Sequence, residues 1–323
     1  LRPPSRIAAI AFRASTVASA SLLPHLLRPA FLQRSPAEFG FACPPAVEIF
    51  FGSLASRPGG SVRPQRAATQ LVETELRASL LSNSPVASRA RIQSSSAPGS
   101  SLWLVPSPSL LGVAPLNSGV FRALCRHRLG LPLRPSAPVV CTMCHDRLAD
   151  GDPHGEHALR CMRGGARTRL HHAVRDELFV LASAALLRPV REPAPFASAP
   201  GARLDVAFSF RGQTALVDVA VTHALCTAAI PFAAALPGGW ATGYEQTKRD
   251  KYGHLLSGDQ LLVPLVADSF GAWGCSAQPL LVTVAREFAR SRGGGALEEL
   301  EAYTRLNTIV MRGVGGLLLS ASV

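Results

Sequence analysis

Residues 203–252 limit the possible folds of this chain more than any other stretch. Arg203-Leu-Asp205 is followed by Val-Ala-Phe-Ser-Phe, then Arg211-Gly212, then Gln-Thr-Ala-Leu-Val-Asp218-Val-Ala-Val. Two β-branched and aromatic runs around a pair ending in glycine signal a two-residue β-hairpin. The predicted register pairs Phe210 with Gln213 and Ser209 with Thr214, and so on outward until Asp205 faces Asp218. Side chains directly opposite on an antiparallel pair have Cβ atoms ~5 Å apart, so two carboxylates there would repel by about 3 kcal/mol at an effective dielectric of ~20. A divalent cation reverses the sign of that interaction, because Mg²⁺ takes hard oxygen ligands. Leu204, Val206 and Phe208 are predicted to share the opposite face with Val219, Val217 and Ala215 and to pack a core.

Lysine usage adds to this. The 33 basic side chains include only two lysines, Lys248 and Lys251, in Tyr244-Glu-Gln-Thr-Lys-Arg-Asp-Lys-Tyr252. They lie one helical turn apart. A chain that otherwise uses arginine for positive charge keeps lysine where a compact ammonium matters, although a codon bias toward arginine would leave the same trace.

Three of the seven cysteines, Cys141, Cys144 and Cys161, fall close together with several histidines. Cys141-x2-Cys144 offers two thiolates from one tight loop, and His157-x3-Cys161 offers two more ligands from one helical turn. Four such ligands close a tetrahedral structural zinc site, with His145 and His154 as competing choices. The odd cysteine count and this spacing indicate a metal site in a reducing compartment and argue against a disulfide framework.

A net charge of +12 and a pI near 10.4 favour a polyanionic partner, nucleic acid first, although residues 1–100 alone supply much of the excess. Residues 1–66 are of low complexity and expected to be disordered. Their Arg/Ser-rich, acid-poor composition is transit-peptide-like or comes from sequence never selected to fold, which leaves nucleus, mitochondrion and plastid as locations. A short amphipathic helix is predicted over 67–81, a Ser/Pro/Gly-rich linker over 82–101, and a helix ending at Gly130 within a connector running to residue 135. The zinc segment spans 136–165. Beyond it, a helix is predicted over 168–187 with His171, Val174, Leu178, Leu181 and Ala185 on one face. Asp176 and Glu177 on that helix are surface acids or additional metal ligands. The uncharged stretch 219–244 is broken by Pro231, Pro237, Gly238 and Gly239, so it reads as a strand and a loop; no membrane partner is expected. A buried strand around 261–268 and helices over 278–290 and 296–311 complete an α/β pattern around a mixed sheet.

The ordered set Cys-x2-Cys, His-x3-Cys, Gly164-Gly165, a His-bearing helix, Arg203-x-Asp205, Asp218 in a Val-rich strand and Lys248-x2-Lys251-Tyr252 resembles the C-terminal restriction-enzyme-like endonuclease of non-LTR retrotransposons, within the PD-(D/E)XK superfamily. Upstream, Ser101-Leu-Trp103-Leu and Phe121-Arg-Ala-Leu with Arg128-Leu-Gly-Leu-Pro132 resemble the connector that follows the reverse transcriptase in such proteins. The resemblance covers about residues 67–315 and implies a restriction-endonuclease-like domain over 166–315. It implies Asp205 and Asp218 as magnesium ligands, Lys248 or Lys251 as the catalytic lysine shifted from its strand, where Ala220 stands, and Tyr252 beside it. Arg169, His171 and Arg203 are the implied DNA contacts, with the element's RNA as a second partner. Leu204 stands where Pro or Ala is usual, and Leu170-His171-His172 where the family has Arg-His-Asn. No Tyr/Phe-x-Asp-Asp polymerase motif occurs, so the expected function is Mg²⁺-dependent nicking of target DNA by a module lacking its reverse transcriptase, or else a catalytically silent nucleic-acid-binding relic.

Overall fold

The computed structural model describes residues 64–104, 114–133, 140–148, 151–193 and 203–320. Most of the segment expected to be disordered, residues 1–63, lies outside them, and 64–66 open helix α1 (Pro64–Asn83). Helix α1 belongs to a unit spanning Ser19–Pro85, whereas Val86–Val323 belongs to a second compact unit that carries every other element. In chain order these are α2 (Val86–Ser95), α3 (Ser118–Leu129), α4 (Glu156–Arg160), α5 (Ala166–Ala184), β1 (Val190–Arg191), β2 (Val206–Phe210), β3 (Gln213–Thr222), α6 (Ile230–Ala235), α7 (Gly239–Tyr252), β4 (Gln260–Asp268), α8 (Ala277–Ser291) and α9 (Ala296–Ser320).

The sheet has four strands in the order β1-β2-β3-β4. β2 and β3 form the hairpin in the predicted register, Phe210 with Gln213 through Val206 with Val217. Arg211 and Gly212 both have positive φ, 53° and 78°, as a type I′ turn demands. β4 returns parallel to β3 after the α6-α7 crossover, making the sheet mixed. One face packs under α5, α8 and α9 through Val206, Phe208, Ala215, Val217, Val219 and Leu265. The other receives α7, with Tyr252 against Ala207, Leu216 and Leu262.

The hairpin departs from expectation at its open end. The ladder stops at Val206, and the chain bends at Asp205, whose N–H donates to the Val217 carbonyl (2.9 Å). Asp205 therefore does not face Asp218 as a ladder partner. The bend also reverses alternation: Leu204, predicted to join Val206 and Phe208, instead packs with Ala207, Leu216 and Tyr252 on the α7 face.

Three further expectations change. The supposed linker 82–101 contains α2, whose Ala90 and Ser94 are buried, and α2 packs on α6. What makes this possible is the Arg128 guanidinium, which donates to the Ser95 and Ser100 carbonyls and to Ser101 Oγ and so satisfies backbone that burial would otherwise orphan. The stretch after β3, expected to be a loop up to Tyr244, holds α6 and the start of α7. On α5 the buried row is Leu170, Val174, Leu178, Leu181 and Ala182, so His171 is turned off the core face.

Helix α9 was expected to end at residue 311; it runs on to Ser320 and packs against α3, α4 and α5. Gly315 permits the α3 contact, because a Cβ there would lie 2.6 Å from Val120 Cγ1. Connector, Cys/His segment and sheet domain thus contribute to one core. α3 itself is bounded as its sequence suggests: Asn117 Oδ1 accepts from Val120 N–H at 2.8 Å, and Gly130 ends the helix at φ 68°. Among the described residues no helix is long and apolar enough to cross a membrane.

Candidate functional site

Two sites stand side by side at the end of the sheet where β2 begins and β3 ends. The first is a cluster of Cys141, Cys144, His157 and Cys161, whose ligand atoms all lie within 4.8 Å of one another. The Cys141-x2-Cys144 loop is a tight turn: His145 N–H donates to the Cys141 carbonyl at 2.9 Å, and Met143 N–H points at Cys141 Sγ at 3.4 Å. His145 itself sits at φ 63° and His154 also lies outside the cluster, which leaves His157 as the fourth donor. Cys144 Sγ lies 3.2 Å from His157 Nε2, and Cys141 Sγ lies 3.9 Å from Cys161 Sγ. Asp152 holds the second pair in place, its carboxylate accepting from the N–H groups of Glu156 and His157 at 2.8 Å each. Three thiols and an imidazole at this separation form a donor set that could hold a structural zinc.

The second site is an open cleft of about 390 Å³ lined by His171, Arg203, Asp205, Asp218, Lys248 and Tyr252, with Arg167, Tyr244 and His223 completing its walls. Three elements supply the charges. Asp205 comes from the bend before β2; its Oδ2 accepts from Val219 N–H at 2.7 Å, and its Oδ1 lies 3.0 Å from His171 Nε2 on α5. Asp218, in β3, points toward α7, where Lys248 Nζ stands 2.8 Å from its Oδ2. The contact is an ion pair between two largely buried side chains. Lys248 also lies 5.8 Å from the Tyr244 ring centroid.

Each carboxylate thus has a cationic neighbour on a different helix. Burial drives the Asp218 carboxyl up, against the pull of Lys248, with nearby Asp205 raising it further. Burial alone would lower the Lys248 ammonium, but Asp218 outweighs it and holds it up. An ammonium 2.8 Å away keeps the carboxylate ionised at neutral pH. The His171 imidazole is raised by its hydrogen bond to Asp205.

The remaining site residues distribute unevenly. Arg203 is exposed at the cleft wall and Tyr252 is buried in it. Lys251 is exposed, donates to the Tyr252 hydroxyl at 2.8 Å and does not line the cleft; Arg169 is also exposed, bonded to the Gly164 carbonyl at 3.2 Å. Asp176 pairs with Arg175 and Arg191, and Glu177 with Arg305, so both acids are engaged away from the cleft. Asp205, Asp218 and His171 share a cleft but are not gathered as the Cys/His donors are; that set is the metal-competent group among the described residues.

Sequence reading passed over three polar residues that shape this region. Glu245 is fully buried and accepts from the N–H groups of Ser276 and Ala277 at 3.0–3.1 Å, fastening α7 to the start of α8. Asp268, also fully buried, accepts from Phe270 and Ala272 N–H and closes the turn after β4. An Asp followed by Ser-Phe-Gly carries that turn signal in sequence. His223 reaches Ser269 Oγ at 3.0 Å, and burial holds its imidazole down at about 3, leaving it neutral.

No family model matches the chain, and no curated protein matches it in sequence.

Proposed function

We propose that the chain is a metal-dependent DNA endonuclease of the restriction-enzyme-like, PD-(D/E)XK kind, the target-nicking module of a non-LTR retrotransposon protein, with a zinc knuckle beside its active cleft. The observation that carries this reading is the meeting of Asp205, Asp218 and Lys248 in one cleft from a strand end, a neighbouring strand and a crossover helix. The hairpin brings the two acids to one end of the sheet, and the crossover helix after β3 brings the lysine to them. The donor set suits a hard cation, since both acids offer carboxylate oxygens to the same cleft. Asp205 and Asp218 would hold Mg²⁺, which when bound polarises a phosphoryl oxygen and acidifies water.

The chain's own residues do the rest. The Asp205 carboxylate is oriented by Val219 N–H and His171. Lys248, once Asp218 turns to other work, presents a compact ammonium to the charge that builds on phosphate in the transition state. Arg203 and Arg167 on the cleft walls attract the backbone in a salt-dependent way that takes no account of sequence. Zinc at Cys141, Cys144, His157 and Cys161 would fix the wall formed by the segment around α4, supplying stability and no chemistry.

A second reading, a nucleic-acid-binding relic without activity, draws support from the closed Lys248–Asp218 contact and the unequal gathering of the two donor sets. Nicking of supercoiled plasmid separates the two. The nuclease converts it to open circle only with Mg²⁺, and Asp218→Ala abolishes conversion while retaining DNA binding. Wild type that binds DNA but never nicks it under any divalent cation leaves the relic.

A further inference from the structure

Met162 is 78% exposed, the most exposed large apolar side chain among the described residues, and it stands on the lip of the carboxylate cleft. A lone exposed Met needs no explanation on an ordinary surface. Its surroundings here are not ordinary. Arg160 and Arg163 are exposed on either side of it, and Arg167 Nη1 lies 3.0 Å from its sulfur while also donating to the Arg160 carbonyl at 3.3 Å. The backbone beneath is held on both flanks. Cys161, one residue before, belongs to the Cys/His cluster, and Gly164 and Gly165, just after, take φ 74° and 68° at the entry to α5. Gly164 admits Met143 of the Cys141-x2-Cys144 loop so closely that a Cβ would lie 1.8 Å from Met143 Cε. The result is an exposed apolar tip with one guanidinium against its sulfur and two more arginines close by in the chain, at the entrance to a site that ends in two carboxylates.

We infer that Met162 is a wedge that inserts between base pairs of duplex DNA while Arg160, Arg163 and Arg167 hold the flanking phosphates. This rests on the DNA-binding reading above and adds how the duplex is engaged. Proteins that kink DNA place Met, Leu, Ile, Phe or Pro at such a step, and the cost of unstacking is offset by phosphate contacts that the bend brings within reach. The chemistry matches: a flexible, polarizable side chain that adapts to a stacked surface, with Arg167 at its sulfur and exposed Arg160 and Arg163 flanking it in the chain. A phosphodiester entering the cleft beside an opened step would be displaced from the regular backbone toward Asp205 and Asp218.

The test uses zinc-replete protein without added magnesium and a short duplex in which 2-aminopurine replaces adenine. Binding of wild type should raise 2-aminopurine fluorescence, and wild type should prefer a duplex carrying a tandem mismatch, already unstacked, by roughly tenfold over the perfect duplex. Met162→Ala should lose the fluorescence rise and Met162→Leu should keep it; neither exposed substitution threatens folding. Arg163→Ala should weaken binding to both duplexes equally. A fluorescence rise that is the same in Met162→Ala overturns the wedge, as does a wild type that binds without unstacking, while in both cases the endonuclease reading stands on its nicking assay. Wild type that binds neither duplex removes the wedge together with the DNA reading itself.

Discussion

Replacing Lys248 with Met tests whether the carboxylate cleft is a desolvated site or an ordinary wet surface. The lysine and Asp218 approach to 2.8 Å with side chains only 17% and 7% exposed. At an effective dielectric of ~20, two unit charges at that distance attract by about 6 kcal/mol before the cost of removing them from water is counted. Removing one partner of a buried pair leaves the other uncompensated, typically a loss of about 3–5 kcal/mol. Asp218 has an escape from the full penalty, because it can take up a proton. Protonating at pH 7 a carboxyl whose ordinary value is near 4 costs about 4 kcal/mol at ~1.4 kcal/mol per unit, so the loss is capped there. The sign with pH follows. With Lys248 gone, burial and Asp205 hold the Asp218 carboxyl above its unfolded value, so the folded state binds more protons than the unfolded one and the penalty shrinks as pH falls. Urea denaturation followed by tryptophan fluorescence should therefore show Lys248→Met destabilised by about 3 kcal/mol at pH 7 and by about 1 kcal/mol at pH 5. The double variant Lys248→Met/Asp218→Asn should recover about 2 kcal/mol relative to the sum of the singles. A coupling below about 0.5 kcal/mol, the range of exposed pairs, would mean that water already screens the two charges and that the cleft lacks the low dielectric a phosphoryl-transfer site exploits.

Two other perturbations follow from the same structure. Purified protein should carry about one zinc per chain by metal analysis, and Cys144→Ser should remove it and lower the melting temperature; zinc content unchanged by that substitution would exclude the Cys141, Cys144, His157 and Cys161 set as the binding site. Asp268 is fully buried, and burial lifts its carboxyl to about 6, so the folded state holds a proton there that the unfolded chain releases near 4; stability from this group is greatest below pH 4 and is lost as pH rises through 6. The difference in unfolding free energy between wild type and Asp268→Asn should accordingly change by about 2 kcal/mol from pH 4 to pH 7, and a difference that is flat with pH would place the carboxylate in contact with water.

Much of this arrangement is legible in the chain because short-range rules decide it. Arg211-Gly212 fixes the hairpin turn, and the turn fixes register up to Val206, since each further pair follows from the last. The Cys/His spacing likewise supplies four donors as two local pairs, one from a tight loop and one from a single helical turn. Those rules fail where an element's end is settled by a partner from elsewhere. Asp205 leaves the ladder because its carboxylate has Val219 N–H and His171 to bond, and the bend this imposes moves Leu204 to the opposite face. His171 is the same case seen from the helix: three- and four-residue spacing fits either His171 or Leu170 as the first member of the core row, and only the carboxylate beyond the helix decides between them.

Composition misleads for a related reason. A run of Ser, Pro and Gly reads as linker because its side chains offer a core little to bury. The real obstacle to burying such a segment is its backbone, and a single guanidinium can remove that obstacle. Arg128 does so from α3, and burial lowers its own pKa to about 10 while it remains charged at neutral pH, with Asp268 the acid whose field opposes that drop. The buried acid after β4 and the serine-rich segment before α3 are therefore two ends of one electrostatic arrangement around Arg128. Arg128 ties residues 95–101 to α3, and from the turn after β4 Ser269 reaches His223 in the wall of the cleft. A segment that composition assigns to the outside is thus bound to α3 through its backbone carbonyls.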